Sequence, residues 1–223
     1  MSKTLAVLLL ALTALLAQAT QSTRDQEIAQ CLPGEITTWG DGRDRTAVSA
    51  ELIFVYDHGA APPWFSKAQV LQALAKAATA WSQCGVPAKV VAASGSAEVS
   101  KDAVQVQWSD EASQRNFGLA NLTTKTLALG PSAFQLLKTR NPAYDSGETL
   151  QMVISHEMGH LFGVVAHSKR CVDVSSYYRN NRGESCFIRN GEQLPPGVEY
   201  RASLPTACDI QRCRAANATG ALH

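Results

Sequence analysis

Along this chain of 223 residues the spacing of apolar positions changes from segment to segment, and the changes outline a fold. From Ala47 to Tyr56 the side chains Val48, Leu52, Phe54 and Tyr56 fall close to alternation, the period of a strand with one buried face. His58-Gly59 supplies the turn that ends it. Ser66 reads as the N-cap of a helix running to about Gln83, in which Val70, Leu71, Leu74, Ala77, Ala78 and Trp81 share one face before Gly85 and Pro87 break it. Two strands are expected at Ala88–Ala93 and Ala103–Trp108, the second alternating Val104, Val106 and Trp108. Two more follow at Phe117–Leu122 and Lys125–Leu129, stopped by Gly130-Pro131. A loop through Asn141-Pro142 then leads to a second helix over about 147–162, with Asp145 and Glu148 at capping-box spacing.

Residues 20–45 read as an irregular polar segment tied down by Cys31. From Ser168 onward Asn, Gly, Pro, Arg and Cys dominate, which predicts disulfide-stapled loops with one short helix near 205–215. The order strand, helix, several strands, helix predicts an α+β fold: an N-terminal segment over 20–46, then one domain over 47–223 whose Cys-rich end begins near 168.

The first residues and the cysteines add a compartment. Lys3, the apolar run Leu5 to Ala17 and the triplet Ala17-Gln18-Ala19 have the form of an export signal over 1–19, since the run is too short to span a bilayer and polar residues follow at once. The six cysteines, Cys31, Cys84, Cys171, Cys186, Cys208 and Cys213, would then sit in an oxidising compartment, where an even count reads as three disulfides. Spacing favours the local pairs Cys171–Cys186 and Cys208–Cys213, which leaves Cys31–Cys84. Setting Lys3 aside, 19 of the 20 basic residues face 19 acidic ones with no basic run, which argues against a nucleic-acid partner. The expectation is a secreted monomer with no membrane contact once the signal is removed. Arg212 and Arg214, beside Cys213, read as a solvated face.

The candidate chemistry lies in the second helix, at His156-Glu157-Met158-Gly159-His160. Histidines four apart stand about 40° apart around the axis and one turn along it, so both rings can reach one divalent ion. Glu157 projects about 100° from His156, where a carboxylate can take a proton from water acidified by zinc and pass it to a leaving amine. The bland alternative is two surface histidines. The flanking Val153, Ile154, Leu161 and Phe162 argue for a buried helix instead, and a buried His-Glu-His cluster without a metal strands polar groups in a core. A third ligand requires the chain to turn back. Gly163 can adopt the left-handed conformation at the helix end, and His167 four residues on has an extended reach of roughly 13 Å. In a continued helix His167 would lie about 10 Å beyond His160.

The stretch His156-Glu157-x-x-His160-x-x-Gly163-x-x-x-His167-Ser168 resembles the metzincin metallopeptidases, and its His-Ser ending is similar to the matrixin branch. Ala80-Trp81-Ser82, the strand Val104–Trp108, and Gly118-Leu119-Ala120 before Thr126–Leu129 fall in matrixin order, so the likeness covers roughly residues 47–170. The resemblance implies a twisted, mostly parallel sheet with an antiparallel edge strand, here Phe117–Leu122, bordering the active-site cleft. It implies two long helices with zinc at the end of the second, and an extended peptide bound along the edge strand. The implied activity is that of a secreted zinc endopeptidase acting on protein or peptide. His156, His160 and His167 would be the metal ligands and Glu157 the general base. Tyr177, or else Tyr178, would donate to the oxyanion. One catalytic Zn2+ is the implied cofactor, and no motif supports a structural Ca2+. Three features depart from the family. Val164, Val165 and Ala166 separate Gly163 from His167 where the family has two residues, no Met follows Met158, and a matrixin-type propeptide cysteine motif is absent. Val174 or Ser175 stands where the methionine of the turn below the zinc would be.

Two other readings compete. Deuterolysin-like aspzincins share the motif and take a downstream aspartate as third ligand, here Asp173. A non-catalytic secreted binding protein on the same scaffold fits the departures but has no use for Glu157.

Overall fold

A computed structural model describes residues 22–93, 102–143, 145–191, 194 and 199–218; the expected export signal over 1–19 and His223 lie outside the described residues. Five strands form one mixed sheet: β1 (Leu52–Tyr56), β2 (Ala88–Ala92), β3 (Val104–Trp108), β4 (Gly118–Asn121) and β5 (Thr126–Leu129), in the spatial order β2-β1-β3-β5-β4. The first four in that order run parallel, with Phe54 opposite Val90 and Val104, and Val106 opposite Leu127. β4 is antiparallel to β5, pairing Gly118 with Leu129 and Asn121 with Thr126, and forms the edge. The fold is thus α+β, with the expected mostly parallel sheet and antiparallel edge strand.

Among the described residues there are five α-helices: α1 (Thr23–Ala29), α2 (Lys67–Ser82), α3 (Pro131–Arg140), α4 (Ser146–Leu161) and α5 (Ala207–Ala218). Ser66 and Gln69 close a full capping box at the start of α2, and Asp145 caps α4 by accepting from the Gly147 N–H at 2.8 Å. α2 and α4 pack closely because Gly159 has no side chain: a Cβ there would meet Trp81 Cζ2 at 2.6 Å. Trp81 donates its indole N–H to Ser155 O at 2.8 Å and stacks on Phe162, so the junction carries both apolar contact and a satisfied polar group. One core of Leu52, Phe54, Val104, Leu127, Ile154 and Met158 joins sheet and helices.

Several expectations need correction. The first strand begins at Leu52 rather than Ala47, because the Ala47 and Val48 N–H groups donate to Asn217 Oδ1 and Leu161 O, not to a neighbouring strand. Residues 131–140 are helical rather than a loop. Pro131 occupies the first turn, where a missing N–H costs nothing, and Phe134 anchors the helix in the core. The N-terminal segment is not wholly irregular, since Ser22 caps α1. Cys171–Cys186 forms as expected, but Cys208 and Cys213 both lie in α5. Five residues apart on a helix, their side chains diverge by about 140°, so Cys208 bonds Cys31 and Cys213 bonds Cys84.

Candidate functional site

α4 carries His156, Glu157 and His160 towards its C-terminal end and is capped by Phe162. Gly163 follows with φ +100°, and a Cβ there would lie 1.9 Å from Arg45 O, so both the conformation and the close approach of the N-terminal segment require glycine. The chain then doubles back. His156, His160 and His167 gather so that one nitrogen from each lies within 4.8 Å of the others, with His156 Nε2 3.2 Å from His167 Nε2.

Every one of these rings has its other nitrogen engaged. His156 Nδ1 is 2.7 Å from Val174 O, His160 Nδ1 is 2.9 Å from Val164 O, and His167 Nδ1 is 2.8 Å from Asp41 Oδ2. These partners only accept, which assigns a proton to each Nδ1 and leaves the other nitrogen of each ring turned toward the shared centre. Burial, then His160 and His167, hold His156 well below its ordinary value, and burial followed by His167 lowers His160 to about 4, so these two rings are neutral.

Carboxylates from the N-terminal segment brace the chain between Gly163 and His167. Asp44 Oδ1 accepts from Val165 N at 2.9 Å and Ala166 N at 3.0 Å, and Arg212 grips both oxygens of Asp44 at 3.0 and 2.9 Å. Asp41 Oδ1 accepts from His167 N at 3.0 Å while its Oδ2 holds the ring. Arg212, expected on a solvated face, is buried, because its guanidinium spans Asp44, Ser175 and the Ala166 carbonyl. Arg214 is exposed, as expected, and donates to Gln83 O.

Glu157 lies under the edge strand, its Oε2 accepting from the Ala120 N–H at 2.8 Å. Gly118 lets the strand come that close, since a Cβ there would meet Glu157 Cγ at 2.7 Å. Burial pushes the Glu157 carboxyl up to about 7, opposed by the Ala120 hydrogen bond. Tyr177 flanks His167 at 4.9 Å between rings, stacks on Trp39 at 5.5 Å, and donates its hydroxyl to Asp41 Oδ2 at 2.9 Å. Burial, then Asp41, raise its phenol to about 12. Tyr178 points elsewhere, donating to Glu199 and accepting from Tyr200 N. The Val174 carbonyl supports His156 directly.

A cleft of about 560 Å³ opens on this cluster, lined by His156, Glu157, His167 and Tyr177 together with Phe117, Gly118 and one stripe of α3. The alternative ligand Asp173 is not in the cluster: it is buried against Arg170 Nη1 at 2.8 Å, Ser168 Oγ at 2.6 Å and Thr206 Oγ1 at 2.6 Å. His58 is also apart, paired with the Tyr56 hydroxyl.

No protein-family model and no curated protein matches the chain. Among solved structures, one described as "GM1 bound form of the ECX AB5 holotoxin" is similar over 85% of this chain and 92% of that chain, at 11% identity and a TM-score of 0.43, a likeness too weak to carry any argument.

Proposed function

We propose that this protein is an exported zinc-dependent endopeptidase, with His156, His160 and His167 as metal ligands and Glu157 as general base. The observation that carries the proposal is the convergence of one nitrogen from each of three imidazoles while the other nitrogen of every ring is held by an acceptor. Nitrogens gathered and braced in this way are the donor set that a divalent cation bound between them would use. Two nitrogens on a tetrahedral zinc stand about 3.3 Å apart, which agrees with the 3.2 Å between His156 and His167. Zinc supplies Lewis acidity when bound, polarising a carbonyl and easing loss of a proton from water.

The chain's own groups supply the rest. Glu157 has a proton affinity near neutrality, suited to taking a proton and returning it to a leaving amine, and the Ala120 N–H fixes which oxygen remains available. The outer edge of β4 offers backbone groups to an extended peptide beside that carboxylate. Tyr177 is the oxyanion donor in this reading, and it must exchange its bond to Asp41 to serve. Three disulfides and the signal-like first residues support export; no helix among the described residues is long and apolar enough to cross a membrane.

The test combines metal analysis with a chelator-controlled assay on casein. One zinc per chain and chelator-sensitive cleavage are expected. Glu157→Gln should retain the metal and lose at least about 100-fold in rate. A protein that binds zinc but cleaves nothing would support the binding-protein reading; full stoichiometry in a folded His167→Ala variant would remove His167 from the ligand set.

A further inference from the structure

One helix face and one loop dominate the wall of the cleft. Ala133, Leu136, Leu137 and Arg140 recur at i, i+3, i+4 and i+7 along α3, so a single stripe of that helix looks onto the cleft and ends in a cation. Leu136 is 49% exposed despite its size, and with Phe117, Met152 and Val153 it makes an apolar surface beside His156 and Glu157. That surface suits a large apolar side chain.

The charge around it is one-sided. Arg115, Arg140 and Arg201 line the cleft, and Glu157 is the one carboxylate among the described residues that does so. Arg201 is neutralised by Glu199, which it meets with Nε at 2.9 Å and Nη2 at 2.8 Å. Arg115 and Arg140 are exposed, and among the described residues neither side chain has an ion-pair or hydrogen-bond partner. Arg115 leaves the chain from a backbone with φ +61°, next to Gln114 at φ +53°, an unusual conformation for two consecutive side-chain-bearing residues. The protein as a whole carries a formal net charge of only +1, so the positive excess in the cleft lining does not simply reflect its overall composition.

We infer that the cleft selects peptides in which a large apolar side chain is flanked by carboxylates, the apolar group lying against the stripe of α3 and the carboxylates meeting Arg115 and Arg140. This rests on the reading of the site as one that binds extended peptides. Basic flanks are disfavoured by the same two guanidiniums.

The test measures binding rather than turnover, so that it stands apart from the metallopeptidase test. Glu157→Gln protein is titrated against labelled ten-residue peptides with a central leucine flanked by two glutamates, two glutamines or two lysines. The glutamate peptide should bind about tenfold tighter than the lysine peptide at low salt, with the glutamine peptide between, and the gap should close as salt is raised. Arg115→Glu with Arg140→Glu should reverse the order, and the milder Arg115→Gln with Arg140→Gln should abolish the gap. Equal affinities, a gap indifferent to both double variants, or no binding by any of the three peptides would overturn the inference. A charge-ordered series in a protein that takes up no zinc would leave the peptide preference standing and sink the metallopeptidase reading.

Discussion

The geometry of the candidate site turns on one carboxylate that no local pattern announces. Asp41 accepts from the backbone and the ring of His167 and from the Tyr177 hydroxyl. Outer partners of this kind fix a ligand's tautomer and raise its basicity, and their loss typically costs 10- to 100-fold in metal affinity. Asp41→Asn should therefore weaken zinc binding by about that factor, read by competition with a chromophoric chelator, while Asp41→Glu restores part of it. Unchanged affinity in the Asn variant would show that His167 needs no such brace. His156, Glu157 and His160 were legible because a helix period places them with no knowledge of the rest of the chain. His167 was legible through Gly163, whose freedom of conformation has a visible use. Asp41 and Asp44 were not: they act across 126 and 121 residues, and a hydrogen bond over that distance leaves no periodic trace. Arg212 was misread for the same reason, since exposure cannot be judged without its partner Asp44.

At the level of elements, the strands and the two long helices followed from alternation and from caps, whereas α1 and α3 were missed. α3 begins with a proline, which ends a strand as readily as it opens a helix, and only its buried Phe134 marks the side that faces inward. α1 has seven residues, and its buried anchor is Glu27, which accepts from Arg189 N and Tyr200 Oη at 2.8 Å each. A polar anchor gives no hydropathy signal. The cysteine pairing failed on a nearby point: closeness in sequence favours a bridge only if the backbone between is free to bend, and α5 is rigid there. The long-range Cys31–Cys208 bond closes a separation of 177 residues, for which chain entropy gives a stabilisation of about 5 kcal/mol as an upper figure. Replacing both cysteines by serine should lower the thermal midpoint by roughly 10 °C or more, seen in a melting curve. Replacing Cys171 and Cys186, whose separation is only 15, should cost less.

Over the whole molecule the charges are arranged to hold the N-terminal segment against the C-terminal loops. Glu35 meets Arg189 at 2.7 Å and Arg170 at 3.5 Å, and accepts from the Leu32 N–H at 2.8 Å. Burial alone would raise its carboxyl, but the Arg189 and Leu32 hydrogen bonds and the two guanidinium charges outweigh it and leave the value below the ordinary carboxylate range. A carboxyl lowered on folding contributes stability that is fully present above its unfolded value, near 4.3, and is lost as pH falls through the folded value. Glu35→Gln should therefore melt lower than the parent at pH 7, with the difference shrinking as the pH is taken below the unfolded carboxyl value. A gap that persists in acid would mean that shape, not charge, is what Glu35 provides.

The sheet, both long helices and the His-Glu-His motif all begin after residue 50, so a shortened version starting at β1 would look intact by hydropathy and by motif alike. It would lack Asp41, Asp44 and the backbone that abuts Gly163. Such a truncate would keep two imidazoles in register and let the third drift. Any trimming that is to keep the three imidazoles together therefore has its limit upstream of Asp41, well outside the region that carries the sheet and the motif.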